Sequence, residues 1–184
     1  KTLKKKDFLK SFFNFLVNIV ISGNICCFQN LAWADYNSVV SYLTQKTIKN
    51  KVSFTGVALH TGAYVNLCVK PASPNFGIVF KRTDLKNNNL IYPNFMNVTN
   101  TSLNTTIENE FGAKVSTIEH LMGALFGLGV DNALIEIDNE EVPILDGSAK
   151  IFIDKIIDVG FETSDAPIKI IKINKKISIQ EGEK

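Results

Sequence analysis

The sequence predicts an α+β domain, a mixed or antiparallel sheet with two amphipathic helices packed on one face. Three observations point there. Apolar and polar side chains alternate with a two-residue period through much of residues 46–81, a 3.6-residue period governs residues 118–128 and again 148–159, and the strand-like stretches largely precede the helices. The 184 residues leave room for one ordinary domain, and 45% hydrophobic with 21% charged residues suits a folded globular chain. A formal net charge of +2 supplies no broad cationic field for a polyanion, so nucleic acid is not expected as a partner. Cys26 and Cys27 are adjacent and Cys68 stands alone in an apolar stretch, which is neither a disulfide framework nor a metal knuckle; Cys68 is expected to be a small buried hydrophobe.

Residues 1–45 differ in composition from the rest and form a separate leader. A basic head (Lys1, Lys4, Lys5, Lys6) precedes residues 11–34, which hold no charge and include Phe12, Phe13, Phe15, Leu16, Val17, Ile19, Val20 and Ile21. That is the layout of a signal peptide or membrane anchor, with residues 7–34 available for membrane contact and an Ala32-Trp33-Ala34 cleavage-like site. Asn14, Asn18 and Asn24 dilute its apolar character, and two other readings stay open: a mispredicted or non-functional leader, and an organellar or other targeting extension, although no arginine precedes Arg82.

Residues 46–184 form the domain proper. Residues 46–54 alternate as one strand, Thr55-Gly56 and Thr61-Gly62 mark turns, and residues 64–70 alternate again, which together predict an antiparallel hairpin. Residues 77–81 make a third strand, Asn87-Asn88-Asn89 a polar loop, and residues 91–98 and 102–107 weaker strands diluted by asparagine. Ile118, Leu121, Met122, Leu125 and Leu128 share one helical face, closed by Gly127 and Gly129. Residues 132–137 return to a strand, 140–147 turn, 148–159 form the second helix with Gly160 placed to end it, and 168–179 close the set as one or two strands.

Two histidines are present. His120 follows Glu119 in Ser116-Thr117-Ile118-Glu119-His120, and Ser116 with Glu119 three residues later has the spacing of a capping box. On spacing alone a capping Glu119 is favoured. The alternative is chemical: a histidine at a helix N-terminus stays neutral and can ligate a metal, while an adjacent carboxylate takes a proton from metal-bound water. His60, between Gly56 and Gly62, fits a pocket wall and a solvated turn residue equally well. The acidic run Glu136, Asp138, Glu140, Glu141 and Asp146 lacks the spacing of a calcium loop and is expected to be mostly a solvated edge, with Asp146 a turn or cap residue.

Five blocks then stand in order: residues 56–62 (GVALHTG), 77–84 (GIVFKRTD), 116–121 (STIEHL), 127–132 (GLGVDN) and 141–149 (EVPILDGSA). In these blocks the chain from Thr47 onward resembles the UDP-3-O-acyl-N-acetylglucosamine deacetylases of lipid A biosynthesis. The resemblance implies a zinc-dependent, cytoplasmic two-domain enzyme of β-α-α-β sandwich form, of which this chain matches the first half. It implies Glu119 as the general base, His120 as the first Zn²⁺ ligand, His60 in the cleft wall, and the loop of Leu103 and Thr105 beside the metal. Asn104 stands where relatives often carry cysteine. The other zinc ligands, a His and an Asp in an HxxxD arrangement, would come from a second domain that is absent from these 184 residues, so the fragment alone is expected to be inactive.

Two functions follow. One is hydrolysis of the acetamide of an acylated UDP-N-acetylglucosamine to a free amine and acetate. The other is a non-catalytic, truncated or degenerate half that binds a partner or a membrane, in which Glu119 only caps its helix.

Overall fold

A computed structural model describes residues 43–168 together with Ser178. The predicted closing strand or strands over 168–179 and nearly all of the leader lie outside the described residues. Among the described residues no helix is long and apolar enough to cross a membrane.

The α+β reading holds. Among the described residues ten strands and two helices follow in the order β1 (Thr44–Ile48), β2 (Val52–Val57), β3 (Tyr64–Pro71), β4 (Ile78–Arg82), β5 (Leu90–Ile91), β6 (Val98–Asn100), β7 (Thr106–Glu108), β8 (Lys114–Val115), α1 (Glu119–Gly127), β9 (Ala133–Ile137), α2 (Lys150–Val159) and β10 (Phe161–Pro167), with a 3-10 turn at Phe95–Asn97. The main sheet runs β2-β3-β9-β4-β5. β2 and β3 form the expected hairpin, with Val52 opposite Val69 and Val57 opposite Tyr64. β9 inserts antiparallel to β3 and parallel to β4. The parallel pair needs a long crossover, and the chain between β4 and β9 supplies it with β5, a small β6-β7-β8 sheet and α1.

Alternation sorts the faces. Val65, Leu67 and Val69 of β3 are buried with Val52 and Phe54 of β2 and Ala133, Ile135 and Ile137 of β9. α1 buries Leu121, Ala124 and Leu125, and α2 buries Phe152 and Ile156. The Phe152 ring lies 4.9 Å from that of Phe54, tilted by 52°, and ties α2 to the sheet. The opposite face of the sheet is polar: Glu136 on β9 pairs with Lys70 on β3 at 2.6 Å and with Lys81 on β4 at 3.5 Å. Cys68 belongs to this second face and is half-buried, which corrects its assignment to the core. The parity of the strand decides it, since neighbours of Leu67 and Val69 must point the other way.

Three further expectations change. Residues 46–54 are two strands, broken at Lys49-Asn50-Lys51, where the Lys49 N–H donates to Gly160 O; β1 pairs with the unforeseen β10, and β2 with β3. Thr44 and Gln45 are thereby in β1, two residues inside the stretch read as leader. Gly56 is mid-strand and makes no turn: a Cβ there would meet Leu145 Cδ2 at 3.2 Å, so its role is close approach between segments. The turn falls only at residues 58–63, where Ala58 N–H donates to Ala63 O and Gly62 adopts φ 67°.

Candidate functional site

The head of α1 is built differently from a capping box. Ile118 is the N-cap, in helical conformation and with no side-chain cap bond, and Glu119 is the first helical residue instead of the third. Ser116 lies two residues ahead of that N-cap, too far back to cap, and its hydroxyl donates to Glu140 O at 3.1 Å and its N–H to the same carbonyl at 2.9 Å. The chain enters the helix through Thr117 at φ 55°, a left-handed turn after which Glu119 falls at the first helical position, two short of the capping-box position. The Glu119 carboxylate points elsewhere: Oε2 accepts from the Thr105 N–H at 3.1 Å. Glu119 and His120 are both half-buried, adjacent in the first turn of α1.

Glu141 corrects the second expectation. It is fully buried, no part of a solvated edge. Its oxygens accept from His60 N–H at 3.0 Å, Thr61 N–H at 2.8 Å and the Thr117 hydroxyl at 2.9 Å. Burial pushes its carboxyl up, but the donors from His60, Thr61 and Thr117 outweigh that and leave it below the ordinary glutamate range. One carboxylate therefore joins three of the five sequence blocks. Backbone contacts reinforce the junction: Ala58 bridges Pro143, Ser116 bridges Glu141, and Ile144 N–H donates to Val57 O. Glu141 was detectable in the sequence only as a carboxylate followed by the apolar run Val142-Pro143-Ile144.

The rest of the acidic run divides. Glu136 and Glu140 make ion pairs, Asp138 accepts from the backbone and side chain of Asn66, and Asp146 is the expected turn residue, accepting from Ser148 N–H at 3.0 Å.

The sequence-derived site residues are not all alike in position. Thr105 is buried and bonded to Glu119, and its neighbour Asn104 donates to the Thr117 hydroxyl at 3.1 Å. Leu103 is 83% exposed at the tip of that loop. The His60 side chain is exposed, and what joins it to the site is its backbone N–H on Glu141. A catalytic zinc usually takes three protein ligands. Among the described residues no three His, Cys, Asp or Glu side chains come together, so they do not make a complete zinc site.

Residues 45–184 match the family of UDP-3-O-acyl N-acetylglycosamine deacetylase. The chain is 44% identical over 143 residues to the UDP-3-O-acyl-N-acetylglucosamine deacetylase of Actinobacillus succinogenes, covering 77% of this chain and 47% of that relative. It is 45% identical over 143 residues to the enzyme of that name from Haemophilus influenzae, with the same two coverages. With the Teredinibacter turnerae protein of that name the identity is 46% over 142 residues, covering 77% of this chain and 46% of the relative. The chain thus spans about half the length of the curated relatives it matches. With three of its five blocks joined by one buried carboxylate and its match running from residue 45 to residue 184, the chain belongs to the UDP-3-O-acyl N-acetylglycosamine deacetylase family.

Proposed function

We propose that this chain forms one half of a deacetylase that hydrolyses the acetamide of a UDP-3-O-acyl-N-acetylglucosamine in lipid A biosynthesis, with Glu119 as general base. The observation that carries the reading is the Glu119 carboxylate itself. It is released from capping, fixed by one backbone donor, Thr105 N–H, and adjacent to His120. A carboxylate so held can take a proton from water as the water oxygen bonds to the acetamide carbon. The C–N bond then breaks, the sugar nitrogen leaves as a free amine after gaining a proton, and acetate is released. Leu103, Thr105 and the exposed His60 line the approach to Glu119.

Zinc dependence belongs to the same proposal. His120 supplies one ligand, and since the described residues supply no complete set, the others come from elsewhere, in keeping with relatives about twice as long. The reading therefore includes a second domain, and inactivity of these 184 residues on their own.

The test compares zinc content and acetate release for this chain and for the product of the full reading frame, each with Glu119→Ala and His120→Ala. The expected result is about one zinc and turnover in the longer product only, zinc retained but activity lost in Glu119→Ala, and both lost in His120→Ala. Turnover that survives Glu119→Ala would falsify the assignment of the base.

A further inference from the structure

Thr117 is a β-branched residue held at φ 55°, a region where such side chains crowd their own backbone. Packing alone does not call for threonine here, because glycine adopts the same backbone without strain. The hydroxyl gives the reason. Buried with the residue at 3% exposure, it donates to Glu141 Oε1 at 2.9 Å and accepts from Asn104 Nδ2 at 3.1 Å. Asn104 in turn accepts from the Thr106 hydroxyl at 3.2 Å, and Thr105 between them donates its N–H to Glu119. One hydroxyl thus ties the 104–106 loop to the head of α1 and both to the buried Glu141.

We propose that Thr117 is a positioning residue for the deacetylation: its hydroxyl, clamped between Glu141 and Asn104, holds the Thr105 N–H against the Glu119 carboxylate and so fixes the direction of the base. The strained backbone is what turns that hydroxyl inward while the chain enters α1. Asn104 and Glu141 act through Thr117 and need touch no substrate. The inference rests on the reading of Glu119 as the base.

Thr117→Val keeps the branched shape and removes the hydroxyl, Thr117→Gly relieves the backbone, and Thr117→Ser keeps the hydroxyl. Each is made in the product of the full reading frame and assayed for kcat and KM on UDP-3-O-acyl-N-acetylglucosamine, for Tm, and for hydrogen exchange of the Thr105 amide. A displaced base costs turnover more than binding, so Val and Gly are expected to lose about 10- to 100-fold in kcat, with KM within about threefold. Thr117→Ser stays within about threefold of wild type in kcat. The Thr105 amide exchanges about tenfold faster in Val and Gly than in wild type or Ser. Loss of kcat in Thr117→Gly, assayed well below that variant's own Tm, separates positioning from folding. Full kcat in folded Thr117→Gly, or an undiminished Thr105 protection in Val and Gly, overturns the proposal. If the wild-type product releases no acetate, the deacetylase reading fails, and exchange of the Thr105 amide still decides whether Thr117 holds the loop.

Discussion

A buried carboxylate is tolerated only when donors replace the water it gives up, and Glu141 has three within hydrogen-bond distance. Glu141→Gln keeps the volume but turns one acceptor into an NH₂ that faces donors, so a buried N–H or the Thr117 hydroxyl loses its partner. The expected cost is about 1–3 kcal/mol, read from urea unfolding. A pH signature accompanies it. The folded carboxyl lies below its ordinary value of 4.5, so the stability it contributes is fully present above that value and is lost as pH falls through the lower folded pKa. Tm should therefore drop more steeply below about pH 4.5 in wild type than in Glu141→Gln, the two curves converging in acid. Parallel curves would show that Glu141 does not titrate differently on folding.

At the scale of elements, the periodic segments were legible and the aperiodic ones were not. β3, β9 and both helices carry enough alternation or 3.6-residue period to declare themselves, and Gly160 ends α2 where the sequence placed it. β10, with the sequence FETSDAP, has no apolar face to betray it, and among the described residues it pairs only with β1. The site was legible to the same extent. Glu119 and His120 stood out by residue type, whereas Glu141, Thr117 and Asn104 draw their meaning from partners 13 to 81 residues away. The capping box failed for a related reason: a local spacing rule is silent about the left-handed turn at Thr117, which starts the helix at Glu119, two residues later than a Ser116 cap requires. Gly160 itself can be tested. Its φ of 75° and ψ of 178° lie in a region essentially reserved for glycine, and its N–H and C=O join the end of α2 to Ile157 and Lys49. Gly160→Ala should cost about 1–3 kcal/mol in chemical denaturation, although a Cβ would find ordinary space beside Lys49. No measurable loss would mean that the turn relaxes to another conformation.

For the molecule as a whole, the sheet divides one face rich in ion pairs from another covered by α1 and α2. The helices turn apolar side chains outward as well as inward: Phe126 on α1 is 42% exposed and Ile157 on α2 is 51% exposed. Neither is needed for the core, which is already closed by Leu121, Leu125, Phe152 and Ile156. Exposed large apolar groups on adjacent elements favour association when nothing covers them. In the proposed two-domain enzyme a second domain would cover this surface, and among the described residues both side chains stay exposed. Light scattering on this chain at tens of micromolar, an order-of-magnitude concentration for weak apolar contacts, should then show dimers or larger species. The double variant Phe126→Ser/Ile157→Ser should shift them toward monomer with little change in Tm, since both side chains sit outside the core. A clean monomer for the unaltered chain would count against a covering second domain on this face. Association unaffected by the double substitution would move the contact elsewhere, to Leu103, Phe95 or Met96 on the loops around the small sheet, all of them more exposed than either helical residue.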